Sequence, residues 1–144
     1  MKKIILLVAF ALLAGCQTMH PADSLNISDS AKAVVKSNLT KHSHMGALLG
    51  AYHCEHKKWP GSFRTLKRYV RKNANKNQFF NLEPNWDWWA RKGIKYKPQV
   101  KVTLRSPEGN VDTGEYSITT IHEPPSNCQP DGSFNATAEV HIGI

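Results

Sequence analysis

Residues 106–144 of this chain hold no lysine or arginine, and the whole chain holds only three cysteines. Beyond the first fifteen residues there is no long apolar run either. Each shortage excludes something. No later segment is long and apolar enough to cross a hydrocarbon core ~30 Å thick at ~1.5 Å per residue. There is no Gly-x-Ser-x-Gly turn to present a nucleophilic serine. No glycine-rich loop is spaced to cradle phosphate. The carboxylates are scattered, with no pair suited to glycoside hydrolysis. There is no repeat and no low-complexity tract, and glycine and proline are modest in number. That composition belongs to a folded chain rather than a disordered one, and the length suits one small domain.

The strongest positive signal is at the start. Lys2 and Lys3 precede an apolar run from Ile4 to Leu13, and Leu13-Ala14-Gly15-Cys16 follows. A positive start, a short apolar middle and small residues at a cut make a secretory leader. The stretch resembles the lipobox of bacterial lipoproteins. That resemblance implies cleavage between Gly15 and Cys16, a diacylglycerol on the Cys16 thiol and acylation of the new amine. Two or three chains anchor far more stably than one, because each buried CH₂ contributes ~0.8 kcal/mol. Gln17, not Asp, follows the cysteine. By resemblance to the enterobacterial sorting pattern, this points to the outer membrane, facing the periplasm. The expected organisation is a cleaved leader over 1–15, a flexible lipidated leash over 16–27 and one domain over 28–144.

Two cysteines remain, Cys54 and Cys128. In an oxidising compartment an even pair reads as one disulfide. The alternatives are two free thiols or a metal pair. A bridge closing so long a loop contributes ~4 kcal/mol on the chain-entropy account.

Charge is unevenly spread. Residues 57–105 carry 14 Lys and Arg against only Glu83 and Asp87, whereas residues 106–144 carry six acids and no base. The two parts either pair internally or leave the middle for an anionic partner.

Ala31, Val35, Leu39, His42, Met45, Leu49, Tyr52 and His56 recur at helical spacing, which predicts a long helix over 28–56 capped by Asp29 or Ser28. Gly46 and Gly50, one turn apart, leave room for another backbone. Trp59-Pro60-Gly61 stops the helix, and Ser62 caps a short basic amphipathic helix over 63–72. Residues 79–82 form a possible short strand. Strict alternation over 94–105 and 134–144 predicts strands with one buried face, with a further strand over 115–122. Pro98 marks an edge or an interruption. The fold class expected is α+β: a long N-terminal helix packed on one face of an antiparallel sheet of three to four strands, plus a short basic helix and one disulfide.

The stretch Ala51-Tyr52-His53-Cys54-Glu55-His56-Lys57-Lys58-Trp59-Pro60-Gly61-Ser62 is similar to the helix-ending segment of type IV pilin and type II secretion pseudopilin heads. Gly93-Ile94-Lys95-Tyr96 and Glu115-Tyr116-Ser117-Ile118 resemble two of their sheet strands. The resemblance covers about residues 47–121. It implies a pilin-like head carried on a lipid, accessory to an envelope machine. The chain has a lipobox where that family has a prepilin-peptidase site and a long apolar helix.

Three constellations could carry chemistry. His53 and His56, three apart, could face one ion with Glu55, His42 or His122 as a third ligand, but His42 lies nearly three turns away. The plainer reading is histidines complementing a helix end, and no metal or cofactor is expected. Cys54 beside His53 and His56 is better explained by the disulfide, which removes the nucleophile, so no catalytic residue is assigned. The basic middle is the binding lead: Arg64, Lys67, Arg68 and Arg71 on the helix, Lys95, Lys97, Lys101 and Arg105 on the sheet. The alternative is a solvated face paired in part with Glu115 and Glu139. Of Trp86, Trp88 and Trp89, at least two are expected in the core. The expected function is a non-enzymatic interaction or assembly module of the cell envelope. Its partners are the membrane through the lipid and an envelope protein. Direct binding of an anionic lipid, glycan or nucleic acid is the alternative.

Overall fold

The computed structural model describes residues 3–10, 20–73, 94–96, 99–105 and 117–143. The fold is α+β. An antiparallel sheet carries β2 (Ile94–Tyr96), β3 (Val100–Arg105), β4 (Ser117–His122) and β5 (Ala136–Gly143), and β1 (Lys3–Phe10) extends it at the β5 edge. The strand order is β1-β5-β4-β3-β2. Two helices, α1 (Asp29–His56) and α2 (Phe63–Asn73), complete it with a one-turn 3-10 helix at Pro21–Ser24.

Local chemistry sets the helix ends. Ser28, not Asp29, caps α1: its Oγ accepts from the Ala31 amide at 3.2 Å. The C-terminus closes on Lys57 in the left-handed conformation, φ 55°, with its N–H donating to the His53 carbonyl. Glycine usually takes that place, because a Cβ there costs about 1–2 kcal/mol. Ser62 caps α2, accepting from the Thr65 amide at 3.2 Å. The expectation for the second helix ended one residue early, and Asn73 closes it by donating from its side chain to the Tyr69 carbonyl.

The sheet corrects the reading of 94–105 as one strand. The stretch is a hairpin, with Ile94 opposite Val102, Lys95 opposite Lys101 and Tyr96 opposite Val100. The residues that meet have equal parity, so the sequence alternation runs unbroken from one strand into the next. Periodicity therefore could not reveal it. The sheet also has one strand more than the three to four expected, because β1 pairs with β5 from Lys3↔Gly143 to Phe10↔Ala136. The strand expected over 115–122 begins at Ser117, and the last runs from Ala136.

Two apolar clusters form the core. In one, Met45, Leu48, Leu49 and Tyr52 of α1 meet Leu66 and Val70 of α2 and Val100 of β3. In the other, Val35 and Leu39 of α1 meet Ala22, Leu25, Ile118, Val140 and Ile142. Ala22 and Leu25 are 0% and 3% exposed, so the segment after His20 is docked rather than loose. Lys36 holds it from α1 by an ion pair with Asp23 at 2.7 Å. The leash expected over 16–27 does not hold for residues 20–27, and residues 16–19 lie outside the described residues. Cys54 of α1 is bonded to Cys128 in the β4–β5 connection, with Cα atoms 5.6 Å apart.

The helical glycines admit rings rather than backbone. A Cβ on Gly46 would come within 2.6 Å of the His122 ring, and one on Gly50 would overlap the ring of Phe134.

Candidate functional site

The basic residues come first, because they are the binding lead. On α2, Arg64, Arg68 and Arg71 are exposed and Lys67 is half-buried. The opposite side of that helix, Leu66 and Val70, packs in the cluster that contains Val100, with Ile94 and Tyr96 against it. Successive strand residues point to opposite faces. Lys95 and Lys101, adjacent in sequence to those apolar positions, therefore lie on the other side of the sheet, and both are exposed. The sheet divides the expected single basic face into two surfaces. Lys95 and Lys101 sit directly opposite each other in register. Like charges so placed repel, and a bound anion would relieve that repulsion.

The acids expected beside this row do not all reach it. Lys101 is opposite Ile121, and Ile121 is opposite Glu139. That sets Glu139 two strands away, roughly 10 Å at ordinary strand spacing. Glu139 instead meets His141 on its own strand, at 2.6 Å. Arg105 is opposite Ser117 at the far end of β3. Lys97, Glu115, the segment 79–82, the tryptophans at 86, 88 and 89, and the Gly15–Cys16 junction lie outside the described residues.

The histidines at the end of α1 diverge into separate aromatic contacts. The His53 ring lies 4.6 Å from that of Trp59, tilted by 59°. His56 stacks on Tyr52 at 4.1 Å and meets the Tyr69 ring edge-on at 5.5 Å. His56 Nδ1 lies 3.1 Å from the Tyr52 carbonyl, which occupies one of its two possible ligand atoms. Among the described residues, no group of three or more His, Cys, Asp or Glu is placed to hold a metal ion. Burial pushes the His53 imidazole below its ordinary value, with the Lys57 charge adding to the effect.

A polar group that sequence reasoning missed lies between the two apolar clusters. His42 Nδ1 is 2.9 Å from Thr120 Oγ1, and the same oxygen is 3.0 Å from His122 Nε2. The three residues are 1%, 2% and 5% exposed. A hydroxyl has one proton, so it donates to one ring and accepts an N–H from the other. Two neutral imidazoles supply the acceptor and the donor that the hydroxyl needs. Burial holds His42 down to about 3, helped by the neighbouring His122, and burial alone holds His122 down to about 4. The sequence did carry a signal. Ile118, Thr120 and His122 share one face of β4, so two polar residues stand where alternation demands apolar ones. Only a partner such as His42, 78 residues away, makes that tolerable.

Compared with known protein families, curated proteins and solved structures, the chain matches none.

Proposed function

We propose that this protein is a lipid-anchored, non-enzymatic interaction module of the cell envelope, accessory to a secretion or pilus-type machine. The observation that carries the reading is Leu13-Ala14-Gly15-Cys16 behind Lys2-Lys3 and an apolar run. The lipid on Cys16 is the anchor, with the outer membrane facing the periplasm as the address. The Cys54–Cys128 bond is consistent with an oxidising compartment. In this reading α1 is a long N-terminal helix packed on one face of the sheet, a stiff body held just off the membrane by residues 16–19. The non-enzymatic part rests on chemistry: the hydroxyl flanked by two imidazoles is buried, where a substrate has no room, and Cys54 is committed to a disulfide.

The test of the anchor is Cys16→Ser. The expected result is a protein that stays unprocessed or leaves the membrane fraction. Normal retention of a product cut after Gly15 overturns the proposal.

A second reading has its own observation, the opposed Lys95 and Lys101. Here the outer sheet face binds an anionic lipid, glycan or nucleic acid directly. Cross-linking in cells, comparing wild type with Lys95→Glu, Lys101→Glu, separates the two. Loss of a captured protein supports the assembly module. Loss of captured lipid, glycan or DNA supports direct binding.

A further inference from the structure

The two edges of the sheet are built differently. β2 is three residues long, carries Lys95 and is followed at once by Lys97 and Pro98. Short length, lysine and proline are the ordinary means by which an edge is made unattractive to another strand. β5 is eight residues long, Ala136–Gly143, with neither lysine nor proline. β1 covers its outer edge in eight-residue antiparallel register. On the leader reading proposed above, that covering segment lies within residues 1–15 and is removed. Cleavage would then leave a row of unpaired amides and carbonyls along a long strand whose one carboxylate, Glu139, is already taken up by His141.

We infer that β5 of the cleaved protein pairs with β5 of a second copy, antiparallel and about a two-fold axis through Val140. The inference rests on the leader being cut. Three observations select this occupant and this register. First, the edge accepts a strand: β1 already occupies it antiparallel along its whole length. Second, an antiparallel pair about a two-fold axis normal to the sheet joins residues of equal parity, so core faces stay together. The registers near the strand centre then place Glu139, Val140 or His141 opposite its own copy. Centring on Glu139 sets two carboxylates against each other, and centring on His141 stacks two imidazoles. Centring on Val140 sets each Glu139 opposite the His141 of the other copy, the pair that already meets within one chain at 2.6 Å. An imidazole N–H facing a carboxylate across strands can donate to it, whereas two carboxylates facing each other repel. It also sets Ala138 opposite Ile142 of the other copy, apolar against apolar, on the buried face. Third, the axis normal to the sheet keeps both helical layers on one side. The 3-10 turn at Pro21–Ser24 belongs to that side, since Ala22 and Leu25 pack with Val140 and Ile142. Both lipidated N-termini therefore approach from the same side, and two anchors enter one membrane. An isologous pair of this kind closes on itself and does not extend into a fibre.

The experiment expresses the full chain in a bacterium that processes lipoproteins and isolates the membrane-bound product. Val140→Cys and Ala138→Cys are compared under non-reducing conditions, with the N-terminus and any cross-link read by mass spectrometry. Opposed residues in an antiparallel pair have Cα atoms about 4.5–5.5 Å apart, within reach of a disulfide, whereas two residues at 138 would lie about 13 Å apart. The expected result is a product beginning at Cys16, with a 140–140 cross-link at least tenfold more abundant for Val140→Cys than for Ala138→Cys. Because Val140 is buried, a second set on the outer face is included. His141→Glu should lower the dimer fraction of the otherwise native product, and Glu139→Lys with His141→Glu should restore it. A product beginning at Cys16 that is monomeric in both sets overturns the inference and leaves the leader reading intact. A product beginning at Met1 overturns the leader reading, and the inference falls with it. A residue-140 cross-link to a different protein overturns the choice of a second copy.

Discussion

The two halves of α1 lie in different kinds of core. Its C-terminal half joins large side chains that are near in sequence, Tyr52 with Tyr69 at 5.1 Å and Trp59 and Phe63 beside Leu66, and adds Val100 from the more distant hairpin. The Cys54–Cys128 bond pins this half. The N-terminal half meets small aliphatic side chains from far apart, Ala22 and Leu25 before it and Ile118, Val140 and Ile142 near the end of the chain. No covalent bond reaches that cluster among the described residues. His42, Thr120 and His122 form the boundary. The contrast shows how one helix serves two packing problems. Large aromatic rings fill space after a short connection, while the distant aliphatic cluster depends on sheet register.

Breaking the disulfide should have the largest effect. It closes a separation of 74 residues, for which the chain-entropy account gives ~4 kcal/mol. The expected outcome is a large fall in the urea midpoint for Cys54→Ala, Cys128→Ala, with amide protection lost more in α2 and the end of α1 than in β5. A midpoint within error of wild type, or equal losses in both regions, would remove the asymmetry.

Acid should act next, on the boundary. The His42 and His122 imidazoles titrate at about 3 and about 4 in the fold, below their ordinary 6.5. The fold therefore favours their neutral forms. That stability is complete above pH ~6.5 and is lost as pH falls from there toward 4, at up to ~1.4 kcal/mol per pH unit for each imidazole. Unfolding midpoints at pH 7.5, 6 and 5 should fall in order. His42→Leu should flatten the slope. A wild-type midpoint unchanged between pH 7.5 and 5 contradicts the buried pair.

The smallest effect is a gain. Lys57 holds φ 55° at the end of α1. Lys57→Gly should raise stability by about 0.5–1 kcal/mol by relieving the Cβ, read as a higher thermal midpoint. A fall would mean that the lysine side chain contributes more than the backbone strain costs.

Particular residues show how far the sequence could be read. Period two marked Val140 and Ile142 as core positions, and Cys54 and Cys128 stood as a pair once Cys16 was set aside for the lipid. The same period concealed the hairpin, because β2 and β3 pair residues of equal parity. Residues 20–27 read as leash because three apolar residues, Ala22, Leu25 and Ile27, are too few to make a pattern. Ala22 and Leu25 are buried only because β5 and α1 offer a surface to them. The basic residues read as one face because they are close in sequence, and strand alternation placed Lys95 and Lys101 on the far side from α2.

By itself, the sequence determined the α+β class, the antiparallel sheet, the Ser62 cap of α2 and the disulfide partners. Those follow from interactions between residues a few positions apart, or, for the disulfide, from the two cysteines left once Cys16 is assigned to the proposed lipid. Tertiary structure alone decided the contact of His42 with Thr120, the pairing of β2 with β3 and the pairing of β1 with the last strand. It also split the basic residues between two surfaces. Each of these depends on register and loop closure between distant segments, and local pattern is blind to both.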